Sequence, residues 1–372
     1  MIMRKIFVAL GTRPEVIKLV PILSQLDKKE KKYFLYSSGQ QEDLLIPALQ
    51  EFGLVPNFAT KKLPKKRTLA DLTALLLSDV QKILSEQKIS CVMVQGDTTT
   101  AFTAGLAAFY AKIPVVHIEA GLRTFDLANP MPEEMNRVFL DRIAVLNFAP
   151  TKQAAKNLLA ENISQEKNFL VGNTVIDALL ATASVVVNGN RVSLCWQNLV
   201  KDLQQKKQKL ILFTMHRRES VGDYADKVCV WSTKILEQHP EAFLLFLRHP
   251  NPAFDVVAER LARQKHVLVH AAVGYHDMVF LLQNAHFVLT DSGGLQEEAI
   301  TLGKNVLCLR NKSERDVDVG QALKIVGDDE RFFMQSFTKF LAVKKGKERR
   351  KTIFGDGQAA KKIVNILCKK SF

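Results

Sequence analysis

Short apolar runs alternate with stretches of helical periodicity along the 372-residue chain. In its first half the apolar runs predict five strands: Lys5 to Leu10, Tyr33 to Ser37, Cys91 to Val94, Pro114 to Ile118 and Val145 to Phe148. Between them the apolar positions recur at helical spacing, for example over Leu69 to Ser85 and Thr99 to Ala111. Buried strands separated by helices are typical of βα units and a parallel sheet.

A second series of the same kind follows Gly172. Its predicted strands are Leu210 to Thr214, Ala242 to Leu247, His266 to Val269, Phe287 to Thr290 and Val306 to Leu309. No short fixed repeat is present, so the pattern favours two doubly wound α/β domains over a solenoid. We predict an N-terminal domain over residues 1–171, a second domain over 172–356 and a terminal helix within 357–372.

Composition supports a globular chain, and a length of 372 residues suits two cores rather than one. The hydrophobic fraction is 47% and the charged fraction 24%, which fits folded rather than disordered protein. The apolar start ends at Gly11 without a small-residue cleavage site, so it predicts a buried strand and not a signal peptide. No apolar run approaches the ~20 residues of a membrane span. The five scattered cysteines form no CxxC pair, which favours a reducing, cytoplasmic location.

The formal net charge of +14 raises the question of a nucleic-acid partner. Lysines and arginines gather at residues 28–32, 61–67 and 344–351, but aromatic residues are not interleaved with them as in a base-stacking platform. The pattern therefore favours a solvated surface over contact with nucleic acid or with membrane headgroups.

The segment Gly11-Thr-Arg-Pro-Glu15 follows the first predicted strand and opens a helix. Gly11 permits a tight turn, Pro14 suits a first helical position, and the free amides of a helix start attract anions. Arg13 and Lys18 add positive charge. The segment therefore predicts a phosphate contact, with an ordinary strand-to-helix turn as the alternative.

Asp291-Ser-Gly-Gly-Leu-Gln-Glu-Glu298 repeats this arrangement in the second half. Ser292, Gly293 and Gly294 would let backbone amides approach a diphosphate at a helix start. Glu298, about one turn later, would accept hydrogen bonds from ribose hydroxyls. A glycine turn made only for packing is the alternative. In doubly wound sheets ligands lie beyond the carboxyl ends of the strands, so we expect a ligand held between the two domains.

Three carboxylates are placed for acid–base chemistry. Asp97 and Glu119 follow predicted strands, and Glu133 lies at a predicted helix start. Carboxylates crowded at one sheet edge acquire separated pKa values, which lets one act as base and another as acid. The structural alternatives are helix capping by Asp97, a helix-dipole contact of Glu133 and an ion pair between Glu119 and Arg123.

His216 follows a strand of the second half and precedes Arg217 and Arg218. It is therefore a candidate to donate to a phosphate or to assist a leaving group, although a lone histidine is usually structural. The only Asp-x-Asp pair, Asp316 and Asp318, is better interpreted as a solvated turn. No metal or other cofactor is needed, because two cationic clusters can neutralise a diphosphate.

Eight segments in order closely resemble the non-hydrolysing UDP-N-acetylglucosamine 2-epimerases: GTRPEVIK, QGDTTT, HIEAGLRT, NPMPEEMNR, VGNTVID, HRRES, TDSGGLQEE and FGDGQAA. The resemblance implies GT-B architecture, with two Rossmann-like domains, a cleft between them, and a last helix that returns to the first domain. It implies interconversion of UDP-GlcNAc and UDP-ManNAc by anti elimination of UDP and re-addition, without a metal or nicotinamide. The product would supply ManNAc-type sugars for cell-surface polysaccharide, and a homodimer is expected.

Position by position, the resemblance assigns the catalytic roles to Asp97, Glu119, Glu133 and His216. It assigns the nucleotide-sugar contacts to Arg13, Lys18, Ser292, Gly293, Gly294, Glu298 and Arg315. Tyr275 and Met278 occupy the segment in which the family usually has an aromatic residue beside the uracil. The loop around Arg315 lacks the family's proline, which bears on the exact sugar, and Gln40 to Leu44 departs from a stretch linked to allosteric control.

Four rival functions remain. One is 2-epimerisation of a related UDP-2-acetamido sugar. A hydrolysing relative would release UDP and free N-acetylmannosamine, but such relatives usually lack the GTRPE and HRRE segments. A GT-B glycosyltransferase would not need the three carboxylates. A non-catalytic UDP-sugar-binding protein would not need to retain every acid, and a turnover assay separates it from an enzyme.

Overall fold

The computed structural model describes residues 5–60, 63–64, 66–215, 222–310, 322–343 and 354–370. Tertiary contacts divide the chain into two compact units. Unit 1 comprises Met1–Ala178 and Ile353–Phe372, and unit 2 comprises Leu179–Thr352. Each unit is an α/β domain built on one parallel sheet, which confirms the predicted fold class. None of the helices in the described ranges is long and apolar enough to cross a membrane.

The described part of unit 1 forms a seven-stranded parallel sheet in the order β3-β2-β1-β4-β5-β6-β7. Its strands are β1 Lys5–Leu10, β2 Tyr33–Ser37, β3 Phe58–Ala59, β4 Ile89–Gln95, β5 Val115–Ile118, β6 Leu146–Ala149 and β7 Asn168–Leu170. β1 is an interior strand of the sheet, because Phe7 pairs with Phe34 of β2 on one side and with Val92 of β4 on the other.

Side chains of the central strands alternate between two hydrophobic layers. Val8 and Leu10 pack on one face, and Phe7 and Ala9 on the other, as the two-residue period of a strand requires. Both faces are covered because parallel strands are joined by helical crossovers. The helices of unit 1 are α1 Arg13–Lys28, α2 Glu42–Glu51, α3 Leu69–Glu86, α4 Thr99–Tyr110, α5 Glu133–Ile143, α6 Lys152–Ala160, α7 Thr174–Val186 (which continues into unit 2) and the C-terminal α14 Ala359–Lys369.

Within the residues described for unit 2, six parallel strands follow the order β10-β9-β8-β11-β12-β13. They are β8 Lys209–Met215, β9 Ala242–Arg248, β10 Val267–Ala271, β11 Phe287–Thr290, β12 Asn305–Cys308 and β13 Leu323–Ile325. The helices are α8 Leu194–Gln205, α9 Asp223–Gln238, α10 Asp255–Ala262, α11 Tyr275–Asn284, α12 Gly293–Thr301 and α13 Glu330–Ala342. Phe213, Phe246, Phe287 and Phe337 belong to its hydrophobic core.

Both sheets have one place where the chain changes direction across the sheet. In unit 1 it lies between β1 and β4, and in unit 2 between β8 and β11. The loops that leave adjacent strands at such a point run to opposite faces and open a crevice at the carboxyl edge. The GTRPE and QGDTTT segments leave β1 and β4, and the TDSGGLQEE segment leaves β11. The topology therefore brings predicted site segments to the switch points.

The buried carboxylate of Glu15 connects the two turns at the switch point of unit 1. Its Oε2 accepts hydrogen bonds from the Gly11 amide (2.9 Å) and the Thr12 hydroxyl (2.8 Å), and its Oε1 accepts one from the Thr98 hydroxyl (2.8 Å). Gly11 itself has no room for a side chain, since a Cβ would lie 2.1 Å from Thr100 Oγ1. Burial raises the pKa of Glu15 from 4.5 to about 7, although these hydrogen bonds oppose the rise.

The C-terminal segment is attached to unit 1 by main-chain hydrogen bonds. Asp177 in the first turn of α7 accepts from the amides of Ala359 (3.2 Å) and Ala360 (2.9 Å). These are orphan donors at the start of α14, whose own N-cap residue makes no side-chain cap. The Asn173 amide donates to the Phe354 carbonyl at 2.6 Å. The VGNTVID and FGDGQAA segments therefore contact each other.

We predict that Glu15→Gln reduces the dependence of stability on pH. Since the pKa of Glu15 is higher in the folded state, folded protein binds more protons than unfolded chain between pH 4.5 and about 7. Its free energy of unfolding therefore falls as pH rises through that window. A shift of this size corresponds to about 3 kcal/mol, and glutamine removes the titration.

Urea denaturation of both proteins across pH values from about 5 to 8 measures this difference. The stability of Glu15→Gln relative to the unmodified protein should increase with pH. Glu42→Gln, at an exposed position in the first turn of α2, controls for the loss of a carboxylate and should show no such trend. Parallel pH curves for Glu15→Gln and the unmodified protein would contradict the prediction.

Candidate active site

Acidic side chains collect at the carboxyl edge of the unit 1 sheet. Asp97 follows β4, Glu119 follows β5 and Glu133 is the first residue of α5. β4 and β5 are neighbours in the sheet, so their ends lie side by side. The structure therefore places Asp97 and Glu119 at adjacent strand ends, as the sequence predicted.

Glu119 is 8% exposed and is surrounded by donors. Its Oε2 accepts from Lys18 Nζ (2.5 Å) and Gln95 Nε2 (2.6 Å), and its Oε1 accepts from Asn173 Nδ2 (3.0 Å). A cation and two amide donors all favour the ionised form of the carboxyl group. The residue adopts a φ of 69°, a left-handed conformation that is uncommon for a residue other than glycine.

Asp97 forms an ion pair with Arg137 of α5. Arg137 Nη2 lies 2.7 Å from Asp97 Oδ2, and the Asp97 side chain remains 27% exposed. The Asp97 carbonyl also accepts from Asn136 Nδ2 at 2.8 Å. Thr98, not Asp97, caps α4 by accepting from the Ala101 amide at 3.0 Å. The capping interpretation of Asp97 is therefore wrong.

The adjacent residues Glu133 and Glu134 have different environments. Glu134 is 1% exposed, and its Oε1 accepts from the amides of Thr124 (2.9 Å) and Phe125 (3.0 Å). Glu134 therefore orders the loop before α5. Glu133 is half-buried at the helix start, and its carbonyl accepts from Arg137 Nε at 3.3 Å. Arg137 thus connects the first turn of α5 to Asp97.

A buried polar network supports these strand ends. The ring of His117 lies between Asp141 Oδ1 (2.7 Å) and the Gly96 carbonyl (2.9 Å). Both ring nitrogens therefore have an oxygen partner within hydrogen-bond distance. Asp141 also pairs with Arg123 (2.7 Å). The contacts of His117 and Arg123 therefore hold the chain on both sides of Glu119.

Arg123 does not serve as the partner of Glu119. Its guanidinium pairs with Asp141 and makes two hydrogen bonds to Glu161 at 2.6 and 2.7 Å. Burial acts to lower the pKa of Arg123, but Glu161 and Asp141 outweigh it and raise that pKa above its ordinary value. Gly121, at φ 83°, lets the turn pass close to α6, because a Cβ there would lie 2.3 Å from the Ala154 carbonyl.

The two cationic residues predicted near the GTRPE turn lie on α1. Arg13 is the first residue of the helix and is half-buried. Lys18 lies on the next turn, with its side chain 12% exposed, and pairs with Glu119. Lys18 therefore adds positive charge beside a candidate catalytic carboxylate.

In unit 2 the predicted binding residues lie on α11 and α12. Ser292 caps α12 by accepting from the Leu295 amide at 3.4 Å. Gly293 and Gly294 then supply the first amides of the helix, which have no acceptor within it. A Cβ added at Gly294 would have no atom of the described residues within 4 Å, apart from its chain neighbours and its own helix backbone. Internal packing alone therefore does not require glycine at Gly294.

Glu298 and Tyr275 form a buried pair. Tyr275 Oη donates to Glu298 Oε1 at 2.5 Å, and the two residues are 2% and 6% exposed. Met278, one turn after Tyr275 on α11, is also buried. The arrangement orients one carboxylate oxygen of Glu298 toward the tyrosine. His216 and Arg315, the other predicted residues of this half, lie outside the described residues.

Several contacts of the site were not anticipated. Gln95 and Asn173 donate to Glu119, and Asn136 and Arg137 hold Asp97. Each belongs to one of the recognised segments, so the segments themselves were the available signal. No group of three His, Cys, Asp or Glu side chains in the described ranges is arranged to hold a metal ion.

Comparison with known proteins gives consistent results. Residues 24–368 match the family model described as UDP-N-acetylglucosamine 2-epimerase. The UDP-N-acetylglucosamine 2-epimerase of Escherichia coli K12 is 36% identical over 373 residues, which cover 98% of each chain.

Solved structures resemble the chain over nearly its whole length. The UDP-GlcNAc 2-epimerase of Neisseria meningitidis, bound to UDP-GlcNAc, superposes with a TM-score of 0.88 at 33% identity, covering 99% of this chain and all of that one. The Methanocaldococcus jannaschii enzyme, in complex with UDP-GlcNAc and UDP, gives a TM-score of 0.85 at 32% identity, with coverage of 99% and 100%. With segments, fold and relatives in agreement, the chain belongs to the UDP-N-acetylglucosamine 2-epimerase family.

Proposed function

We propose that the protein is a non-hydrolysing UDP-N-acetylglucosamine 2-epimerase that interconverts UDP-GlcNAc and UDP-ManNAc. The observation that carries the proposal is the set of carboxylates at the carboxyl edge of unit 1. Glu119 is paired with Lys18, and Asp97 with Arg137, while Glu133 lies on the helix that Arg137 links to Asp97. Inversion at carbon 2 needs such a set of proton acceptors and donors.

The reaction begins with removal of the proton on carbon 2 of the sugar. The electrons of that carbon–hydrogen bond form the double bond to carbon 1, and the bond from carbon 1 to oxygen breaks with its electrons on UDP. The intermediate is a 2-acetamidoglucal. UDP then adds back to carbon 1 while a proton is delivered to the other face of carbon 2. Removal at one face and return at the other require more than one positioned acid–base group.

Asp97, Glu119 and Glu133 are the proposed acid–base residues. Glu119 and Asp97 each lie beside a cation, Lys18 and Arg137 respectively, which fixes the position of each carboxylate. We assign stabilisation of the departing diphosphate to His216, with Arg13 and Arg315 adding positive charge.

Besides Arg13 and Lys18 of unit 1, the proposed nucleotide contacts lie on unit 2. The first amides of α12, at Ser292, Gly293 and Gly294, are suited to a diphosphate because a helix start attracts anions. Glu298, fixed by Tyr275, is proposed to accept from the ribose hydroxyls, and Met278 to lie beside the base. Cleavage by water in place of re-addition would make the enzyme a hydrolysing one, which is the second candidate.

The proposed setting is the cytoplasm, where nucleotide sugars and free thiols coexist. All five cysteines fall in the described ranges and none is in a disulfide, as is usual in reducing compartments. No role for nucleic acid is proposed.

We predict that purified enzyme incubated with UDP-GlcNAc in deuterated water introduces deuterium at carbon 2 of both epimers, because the carbon–hydrogen bond there must break. Proton NMR follows the label and the ratio of the two sugars. UDP-ManNAc should reach an equilibrium mixture without equivalent release of UDP. Unlabelled product would contradict elimination, and equivalent amounts of UDP and free sugar would show hydrolysis.

Replacement of Asp97, Glu119 or Glu133 by its amide should lower kcat by roughly 10²-fold or more, the range for positioned acid–base groups. Asparagine and glutamine keep the shape but accept no proton, so circular dichroism spectra should remain those of the folded protein. Glu166→Gln, at an exposed position in unit 1, is the matched control and should leave kcat unchanged. Three amide variants with near-normal turnover would show that the site is assigned wrongly.

The resemblance to the family also supports the proposal of a homodimer. We propose that its interface includes the exposed apolar end of α4. Phe109 and Tyr110 are 54% and 57% exposed, and their ring centroids lie 6.3 Å apart. Adjacent exposed apolar side chains mark interaction surfaces, and in a two-fold dimer each would occur twice.

We therefore expect the double variant Phe109→Asp, Tyr110→Asp to sediment as a monomer, because two charges would be buried without partners in the interface. Val55→Asp, at a position 84% exposed, is the control and should sediment as the unmodified protein does. A dimer that survives the double substitution would place the interface elsewhere, and an unmodified protein that sediments as a monomer would exclude it.

A further inference from the structure

Two of the described hydrogen bonds fix the orientation of the Asn173 side chain. Its Oδ1 accepts from the Val175 amide at 3.1 Å, at the start of α7. The other end of the amide group, Nδ2, donates to Glu119 Oε1 at 3.0 Å. Because an amide has an acceptor at one end and donors at the other, the contact with the helix start directs the donor to Glu119.

The main chain on both sides of Asn173 is held as well. Its own amide donates to the Phe354 carbonyl at 2.6 Å. Gly172 packs against the C-terminal segment, since a Cβ there would lie 3.1 Å from Gly355 Cα. Asn173 is 2% exposed, so water does not replace its contacts easily. The donor therefore reaches Glu119 from a rigid support.

The requirement for this donor follows from the burial of Glu119. A carboxylate taken out of water favours its neutral form unless donors or cations stabilise the charge. Lys18 and Gln95 both bond to Oε2, whereas Asn173 bonds to Oε1. Donors on both oxygens fix the orientation of the carboxylate plane and also stabilise its negative charge. The backbone of Glu119 also has a left-handed φ. Such an uncommon conformation persists only when surrounding contacts hold it.

We propose that Asn173 is a positioning residue for the reaction, which keeps Glu119 ionised and in one rotamer. This inference rests on the proposed function, in which Glu119 is an acid–base group. Asn173 itself touches neither proton nor sugar in the proposal. It acts through Glu119, and its support comes from α7 and the C-terminal segment.

Asn173→Asp separates this role from a structural one. Aspartate retains an acceptor for the Val175 amide, so the turn at the start of α7 is preserved. It removes the donor to Glu119 and places a second carboxylate there. We expect kcat to fall about 10- to 100-fold, the effect of losing a hydrogen bond to a charged group, with KM little changed. In the profile of kcat/KM against pH, the acid limb should shift to higher pH by roughly one pH unit or more.

Asn173→Ala removes the contacts with the Val175 amide and with Glu119 and should move the acid limb in the same direction. Asp177→Ala is the matched control, because it removes the acceptor of the α14 amides and leaves the contact between Asn173 and Glu119 in place. It should lower the melting temperature while the acid limb stays where it is. A shift of the limb in Asp177→Ala equal to that in the Asn173 variants would show that docking of α14, and not the donor, is responsible.

Isotope-edited infrared titration tests the inference without turnover. Carbon-13 labelling of glutamate carboxyl groups, with Glu119→Gln to identify the band, reports the protonation of Glu119 directly. The protonated band should appear at a higher pH in Asn173→Asp and in Asn173→Ala than in the unmodified protein. Unchanged titration in folded Asn173 variants would overturn the inference even if the protein epimerises its substrate. Absence of epimerisation with a shifted titration would instead reject the proposed function alone.

Discussion

Buried carboxylates at the carboxyl edge of a parallel sheet are stable only when donors from other parts of the chain reach them. In unit 1 Glu15, Glu119 and Asp141 each meet this requirement differently. Glu15 has neutral donors, Glu119 has a lysine and two amides, and Asp141 lies between a histidine and an arginine. These donors come from different segments of the chain and hold each carboxylate in place.

The same constraint explains why the site segments lie at distant places in the sequence. Glu119 follows β5, but its donors come from α1, β4 and the start of α7. A sheet in which β1 and β4 are neighbours brings these elements together. The C-terminal segment then holds the start of α7 through Phe354 and α14. Residues near the end of the chain thereby support a carboxylate near its middle.

Much of the fold could be predicted from periodicity. The predicted bounds of β1, β2 and β11 agree with the structure, and the other interior strands differ only at their ends. The described ranges also contain β3, β7 and β13, which were not predicted. Each of these is an outermost strand of two or three residues. An edge strand of this length is only partly buried, so it carries no apolar run that would distinguish it from a loop.

For the site, the sequence by itself determined which residue types stand at strand ends and helix starts: Asp97, Glu119, Glu133 and the glycines before α12. Turns and strand periodicity depend on residues that are close in the sequence, so they can be predicted from the sequence. Only the tertiary structure decided the partners, because those depend on which strands pair and which helix covers them. Arg137 rather than a helix amide is the partner of Asp97, and Glu161 and Asp141 rather than Glu119 are the partners of Arg123. Asn173 contacts Glu119 across 54 positions of sequence, a distance over which no local pattern carries information.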